Sequence, residues 1–258
     1  MPLKGKRIVM TGGTGGIGRF LCQELVNAGA GLTLISQRNQ LPFSAELIQA
    51  NLSDPDELAA ACAAAAAVRP DILINLAGLQ HFGTLESESL EHLQRAIAVN
   101  LLAPIALARA VLPHMRHRSS GHIVNVGSIM ASIGCAHFAS YSSAKAGLKG
   151  FSEALRRELA TSGIAVTYIA PRAVGAGMTT PAVTRYARAI GMTIDEPLQV
   201  ARRIANAIAA RRKDVYFGFS ERLFVTLNAL APRLIDAGVA GKDRKAATLL
   251  PSHPTSLS

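Results

Sequence analysis

The sequence predicts one α/β domain built on a doubly wound parallel sheet. Three features predict it. Short apolar runs of strand length alternate with helical patterns from residue 7 to residue 219. A glycine-rich segment, Thr11-Gly12-Gly13-Thr14-Gly15-Gly16-Ile17-Gly18, separates the first run from the first helical pattern. The 258 residues are 49% hydrophobic and 17% charged, enough for one large buried core.

The first strand is expected at Arg7-Ile8-Val9-Met10, followed by a helix over 16–28 with Ile17, Phe20, Leu21 and Leu25 at helical spacing. Residues 32–35 and 45–48 form the second and third strands. An Ala-rich helix spans 55–68, with Asp54 as its cap. A strand over 71–76 precedes one long helix over 90–117, which Pro104 and Pro113 kink or interrupt. Then come a strand over 121–126, a helix over 141–161, a strand over 165–169, a helix over 200–210 and a strand over 215–219. The folded domain is assigned to residues 1–240, and 241–258 to a polar, frayed tail.

Composition narrows the function. The N-terminal apolar stretch is too short for a secretory leader or a membrane span. The cysteines Cys22, Cys62 and Cys135 form no CxxC and are expected as small buried apolar groups in a reducing, cytoplasmic setting. The seven histidines show no metal-ligand spacing, so no metal is expected. His114 and His117 belong to a helix end, and His137 to a loop bordering the substrate. Formal charge is +10, and residues 201–258 carry ten basic and four acidic side chains. That excess suits an anionic cofactor or an anionic lipid surface; no aromatic-interleaved basic run points to nucleic acid.

The glycine-rich turn lets backbone approach a pyrophosphate, and the helix behind it offers free N–H groups and a partial positive charge. Further along, Tyr141-Ser142-Ser143-Ala144-Lys145 puts a phenol and an ammonium on one helix face. A free phenol, with a pKa of about 10, is a weak base near neutrality; a nearby cation favours its ionised form.

With these two motifs the chain resembles the short-chain dehydrogenase/reductase family over residues 5–218, and the resemblance implies a Rossmann fold. Gly12, Gly16 and Gly18 match the short single-domain branch; Gly12, Gly15 and Gly18 match the longer epimerase/dehydratase branch. Length favours the former. The resemblance implies that Tyr141 is the acid/base, Lys145 lowers its pKa and holds the nicotinamide ribose, Ser128 orients the substrate oxygen, and Asn100 completes a proton relay. It places Gly12, Thr14, Gly15, Gly16, Ile17, Gly18, Gln37, Arg38, Asn51, Leu52, Asn75, Ala77, Gly78, Pro171 and Val174 against the cofactor, with Asn100, Tyr141 and Lys145. Gln37 stands where an acid would select NAD. With Arg38 behind it, NADP is favoured over NAD.

Departures are Leu76 for a second Asn, and Arg172 and Ala176 where the family has Gly and Thr; Thr179 or Thr180 is expected to replace the lost hydroxyl. Residues 178–196, with Met178, Ala182, Val183, Ala187, Ile190 and Met192, are expected as an apolar substrate lid. The implied function is hydride transfer between a nicotinamide cofactor and a carbonyl or alcohol on an apolar, lipid-like substrate, by a homodimer or homotetramer. An epimerase or dehydratase, and a non-catalytic dinucleotide sensor, are the alternatives. The basic amphipathic segment 219–237, broken at Pro232, is expected to cover the pocket, join a second subunit or, through 219–245, touch a membrane surface.

Overall fold

The computed structural model describes residues 3–38, 45–247 and 255–256, without the side chains of Phe219, Val239, Lys242, Asp243, Lys245, Ala246, Ala247, Thr255 and Ser256. His253 lies outside the described residues. The strands are β1 (Arg7–Thr11), β2 (Gly31–Ser36), β3 (Glu46–Gln49), β4 (Ile72–Asn75), β5 (His81–Phe82), β6 (Gly121–Val126), β7 (Ile164–Ala170), β8 (Ala173–Val174), β9 (Ile194–Asp195), β10 (Asp214–Tyr216) and β11 (Thr255–Ser256). The helices are α1 (Gly16–Asn27), α2 (Pro55–Val68), α3 (Leu90–Ile97), α4 (Ala103–His117), α5 (Ala139–Glu158), α6 (Pro181–Ala189), α7 (Pro197–Ala209), α8 (Phe219–Leu230) and α9 (Pro232–Ala247).

Seven strands form one parallel sheet in the order β10-β7-β6-β4-β1-β2-β3. Parallel strands buried on both faces need continuous apolar runs, and β1, β4 and β6 supply them. One face packs Leu21, Cys22 and Leu25 of α1 and Ile204 and Ile208 of α7. The other packs Leu58 and Ala61 of α2, Leu107 and Val111 of α4 and Leu155 of α5. The strand order reverses direction between β1 and β4, where a crevice opens above the carboxyl ends of the strands. Thr11 closes its floor: the Thr11 hydroxyl accepts the N–H groups of Leu76 and Ala77, both at 3.1 Å.

Several local expectations are met in detail. Asp54 caps α2 by accepting from the N–H groups of Asp56 and Glu57 at 3.0 and 2.9 Å. The tail helix divides at Pro232. Several boundaries differ. The expected single helix over 90–117 contains a π turn at Ala98–Leu102, ahead of Pro104 and not at Pro113. Pro104 has no N–H to give the carbonyl four residues back, at Asn100, so the wider turn falls there. By length and composition this 28-residue stretch is apolar enough to cross a bilayer; here Leu107, Ala108, Val111 and Met115 are buried in the core. The final strand is shorter than expected, Asp214–Tyr216, and Phe219 begins α8. Helix α9 continues through Ala247, past residue 240.

Of the cysteines, Cys22 is fully buried, and its thiol is pushed up to about 12 by burial. Cys62 and Cys135 are half-buried, and the three form no disulfide.

Candidate active site

A cleft of about 490 Å³ runs along the crevice. At one end lies the glycine turn. A Cβ at Gly12, whose φ is +73°, would sit 2.6 Å from the Ala77 nitrogen; one at Gly18 would sit 2.0 Å from the Gly12 carbonyl oxygen. Only a side-chain-free backbone packs this closely. Helix α1 begins here with no side-chain cap and no acid in its first turn. Its first N–H groups therefore lack a capping side chain, as an anion-binding terminus requires. Gly12, Thr14, Gly15, Gly16, Ile17 and Gly18 all line the cleft.

At the end of β2, Gln37 and Arg38 form the outer lip with Leu52. The hydroxyls of Thr14 and Ser36 stand 3.4 Å apart beneath them. Gln37 donates its amide to Asn51 Oδ1 at 2.6 Å, so Asn51 braces the lip without lining the cleft. Among the described lining residues there is no carboxylate, while Arg38, Arg95, Lys145 and Arg172 are present. These features fit a nicotinamide dinucleotide: a backbone cradle for pyrophosphate beside a cationic lip.

The other end of the cleft brings together Ser128, Tyr141 and Lys145, with Ala77, Gly78, Pro171 and Val174 around them. Helix α5 carries Tyr141 and Lys145 on one buried face. An internal hydrogen-bond chain fixes that helix to the sheet. Asn75 donates to Asn125 Oδ1 at 2.8 Å, Asn125 donates to Ser152 Oγ at 2.9 Å, and Ser152 donates to the Leu148 carbonyl at 2.7 Å. Asn75 thus points into the core and not into the cleft.

Burial pushes the Tyr141 phenol up to about 12, against a smaller downward pull from its hydrogen bond with Ser128. Burial brings the Lys145 ammonium down to about 8. Lys145 Nζ donates to the Val126 carbonyl at 3.2 Å and lies 5.8 Å from the Tyr141 ring centroid. In the protein alone, burial therefore outweighs the lysine's expected effect on the phenol.

Asn100 lies behind this group in the π turn. Its amide donates to the carbonyls of Leu79 and Ala96 at 2.7 and 2.9 Å, and its Oδ1 accepts from Leu79 N–H at 3.3 Å. Gly78 lies between Asn100 and Lys145: a Cβ there would meet Asn100 Oδ1 at 2.9 Å and Lys145 Nζ at 3.5 Å.

Over the cleft, Phe82, Phe138 and Tyr186 pack with ring centroids 5.0 to 5.6 Å apart. They seat α6, the expected lid, and Met178, Thr179 and Val183 from this segment line the cleft. Thr180 instead caps α6, accepting from Val183 N–H at 3.2 Å. His137 packs edge-on against Phe82 and Tyr186 and does not line the cleft. Arg172 is a clamp. It holds Asp195 of β9 with two hydrogen bonds of 2.9 and 2.8 Å and Glu221 of α8 with one of 2.8 Å.

Sequence reading missed Gln80, Arg95, Met130 and Phe138 of the cleft, and the buried Tyr168 beneath Ser128. The first two sit in a loop and on a helix face with no motif. Tyr168 lies within an apolar strand and looks like core.

A family model described as short chain dehydrogenase matches residues 6–187. A mouse protein, dehydrogenase/reductase SDR family member 7B, is 30% identical over 94% of this chain and 83% of its own length. The Escherichia coli 3-oxoacyl-acyl-carrier-protein reductase FabG is 33% identical over 83% of this chain and 92% of its own. A solved structure from Beutenbergia cavernae is described as a putative NAD(P)-dependent gluconate 5-dehydrogenase with bound NADP. It is 26% identical, with a TM-score of 0.73 over 84% of this chain and 97% of that one. The chain belongs to the short-chain dehydrogenase/reductase family and is an NAD(P)-dependent oxidoreductase with a single Rossmann-fold domain.

Proposed function

We propose that the protein is a carbonyl reductase or alcohol dehydrogenase acting on an apolar, lipid-like substrate, with NADPH preferred over NADH. The observation that carries the reading is the meeting of Ser128, Tyr141 and Lys145 at one end of a cleft whose other end is the glycine cradle. The cofactor, when bound, supplies or accepts the hydride. The protein's residues manage the proton. A phenol held up near 12 is protonated at neutral pH, so Tyr141 is poised to give its proton to a carbonyl oxygen as the C–H bond forms. The phenolate left behind is countered by the Lys145 cation. Ser128 holds the same oxygen by hydrogen bonding, and Asn100 completes the route by which the proton is replaced. Reversal of each step oxidises an alcohol.

The apolar preference is supported by Met130, Phe138, Met178 and Val183 in the cleft wall. The NADPH preference is supported by Arg38, by the two hydroxyls of Thr14 and Ser36, and by the absence of an acid at the lip among the described residues. On the surface, Leu223, Phe224, Leu227, Leu230 and Leu234 are exposed, while Val225 packs toward the aromatic cluster and Asn228 donates to the Ser132 carbonyl at 2.9 Å. Helix α8 therefore supports the pocket with one face and offers the other to a second copy or an anionic membrane surface. The proposed setting is cytoplasmic.

The test is a cofactor-oxidation screen of ketones and aldehydes of increasing chain length with NADPH and NADH. Oxidation that rises with chain length and is faster with NADPH is expected. Failure of every carbonyl to oxidise either cofactor would refute the reading.

A further inference from the structure

His81, Glu88 and His92 are distant from any motif but meet at one buried point beside the cleft. His81 stands on β5. Glu88 precedes the α3 cap Ser89, and His92 lies in the first turn of that helix. His81 is 3% and His92 7% exposed, and the Glu88 side chain is 1% exposed. A potential ligand atom of each lies within 4.8 Å of those of the other two.

Each residue has one atom anchored and one left over. His92 Nδ1 pairs with Glu88 Oε1 at 2.7 Å, and His81 Nε2 lies 3.1 Å from Ser87 Oγ and 3.3 Å from the Thr84 carbonyl. His81 Nδ1, Glu88 Oε2 and His92 Nε2 are buried without a partner. An unpaired buried polar atom costs about 1–3 kcal/mol, and three in one cluster call for a shared ligand. The backbone makes room: a Cβ at Gly83 would lie 2.7 Å from both His81 Nε2 and Ser87 Oγ.

We propose that His81, Glu88 and His92 form a zinc site that fixes the β4–α3 loop to the start of α3. Two imidazoles and a carboxylate are a donor set that zinc favours, with a fourth position left for water. Side-chain rotation closes the ligands onto the ion, whose bonds to nitrogen are about 2.0–2.1 Å. The bonds of His81 Nε2 to Ser87 and Thr84 orient that imidazole, as outer partners do at metal centres, while the His92–Glu88 pair opens as both side chains turn to the ion. The site would brace the cleft wall, because Gln80 of the same loop and Arg95 of the same helix line it. Gln80 also donates to the Met178 carbonyl at 2.5 Å, linking loop and lid. The ion is assigned a structural role, away from Tyr141 and Lys145.

The test uses the full chain, stripped with a chelator and titrated with Co2+ as a spectroscopic stand-in and then with Zn2+. One equivalent per chain is expected, with visible d–d absorption that Zn2+ displaces and with paramagnetic shifts of the His81 and His92 ring protons. Glu88→Gln and His92→Phe should weaken uptake by about tenfold or more while leaving NADPH binding in place, which also shows that each variant is folded. No stoichiometric uptake by the unaltered protein, or uptake unchanged in both variants, would overturn the assignment. The ring-proton shifts decide the matter in the unaltered protein if a variant does not fold.

Discussion

The Tyr168 hydroxyl bridges the backbone of Ser128: it accepts from the Ser128 N–H at 3.4 Å and donates to the Ser128 carbonyl at 3.2 Å. It occupies space that only a glycine at 127 leaves open, since a Cβ there would sit 2.2 Å from Tyr168 Oη. Burial drives the Tyr168 phenol far above its ordinary range, so it stays protonated. Tyr168 therefore acts as a positioning residue for Ser128. Tyr168→Phe should lower kcat by about tenfold and stability by about 1–2 kcal/mol, with cofactor Kd unchanged. Steady-state kinetics and urea melts check this, and an unchanged kcat would remove Tyr168 from the account.

Lys145 carries a conflict between stability and function. Its folded pKa of about 8 lies below the ordinary 10.5. Below about 8 the folded protein holds a cation that the unfolded chain solvates better. As pH rises from about 8 to 10.5 the folded state has released that proton while the unfolded state still binds it, so the penalty shrinks. Each pKa unit is about 1.4 kcal/mol. Lys145→Met also leaves the Val126 carbonyl without its donor, which offsets about 1 kcal/mol of the relief. The cofactor-free variant should be about 2 kcal/mol more stable at pH 7, with the gain fading toward pH 10 and with activity lost. Denaturant melts at several pH values read it directly; a less stable variant at pH 7 would contradict the burial argument.

Arg172 ties the β7–β8 loop to both β9 and α8. Burial raises the Glu221 carboxyl, but hydrogen bonds from Arg172 and Ser220 together bring it below the ordinary range. That stabilisation is present above the unfolded carboxylate pKa and fades as pH falls through the lower folded value. Arg172→Ala should cost about 2–3 kcal/mol near neutrality, and the difference from the unaltered protein should narrow in acid. Equal melting of the two proteins at pH 7 would show the clamp to be idle.

In the proposed function, cofactor choice turns on the lip. Arg38→Ala should weaken NADPH by about tenfold and leave NADH nearly untouched. Gln37→Asp should reverse the preference by repelling the 2′-phosphate. Fluorescence titration measures both, and equal Kd values for the two cofactors in the unmodified protein would contradict the assignment.

The motifs were legible because they are local. The phosphate cradle occupies a single turn, the Tyr141–Lys145 pair a single helix face, and Asp54 with Pro55 announces its helix. What was hidden depends on distance in sequence. The Tyr168–Ser128 bridge spans 40 residues, the Arg172–Glu221 clamp 49, and the Gln80–Met178 bond 98. Asn75 sits at the right strand end by pattern, yet its side chain serves Asn125 because that partner arrives from another strand. The π turn at Asn100 depends on which carbonyl Pro104 deprives, a detail that helical periodicity averages away.

The most direct test of the central claim is Tyr141→Phe, assayed by single-turnover NADPH oxidation with a ketone the unaltered protein accepts. The substitution keeps the ring in its buried seat and removes only the transferable proton. The account predicts that turnover is abolished while NADPH Kd stays within about twofold. Turnover near the unaltered rate would contradict it.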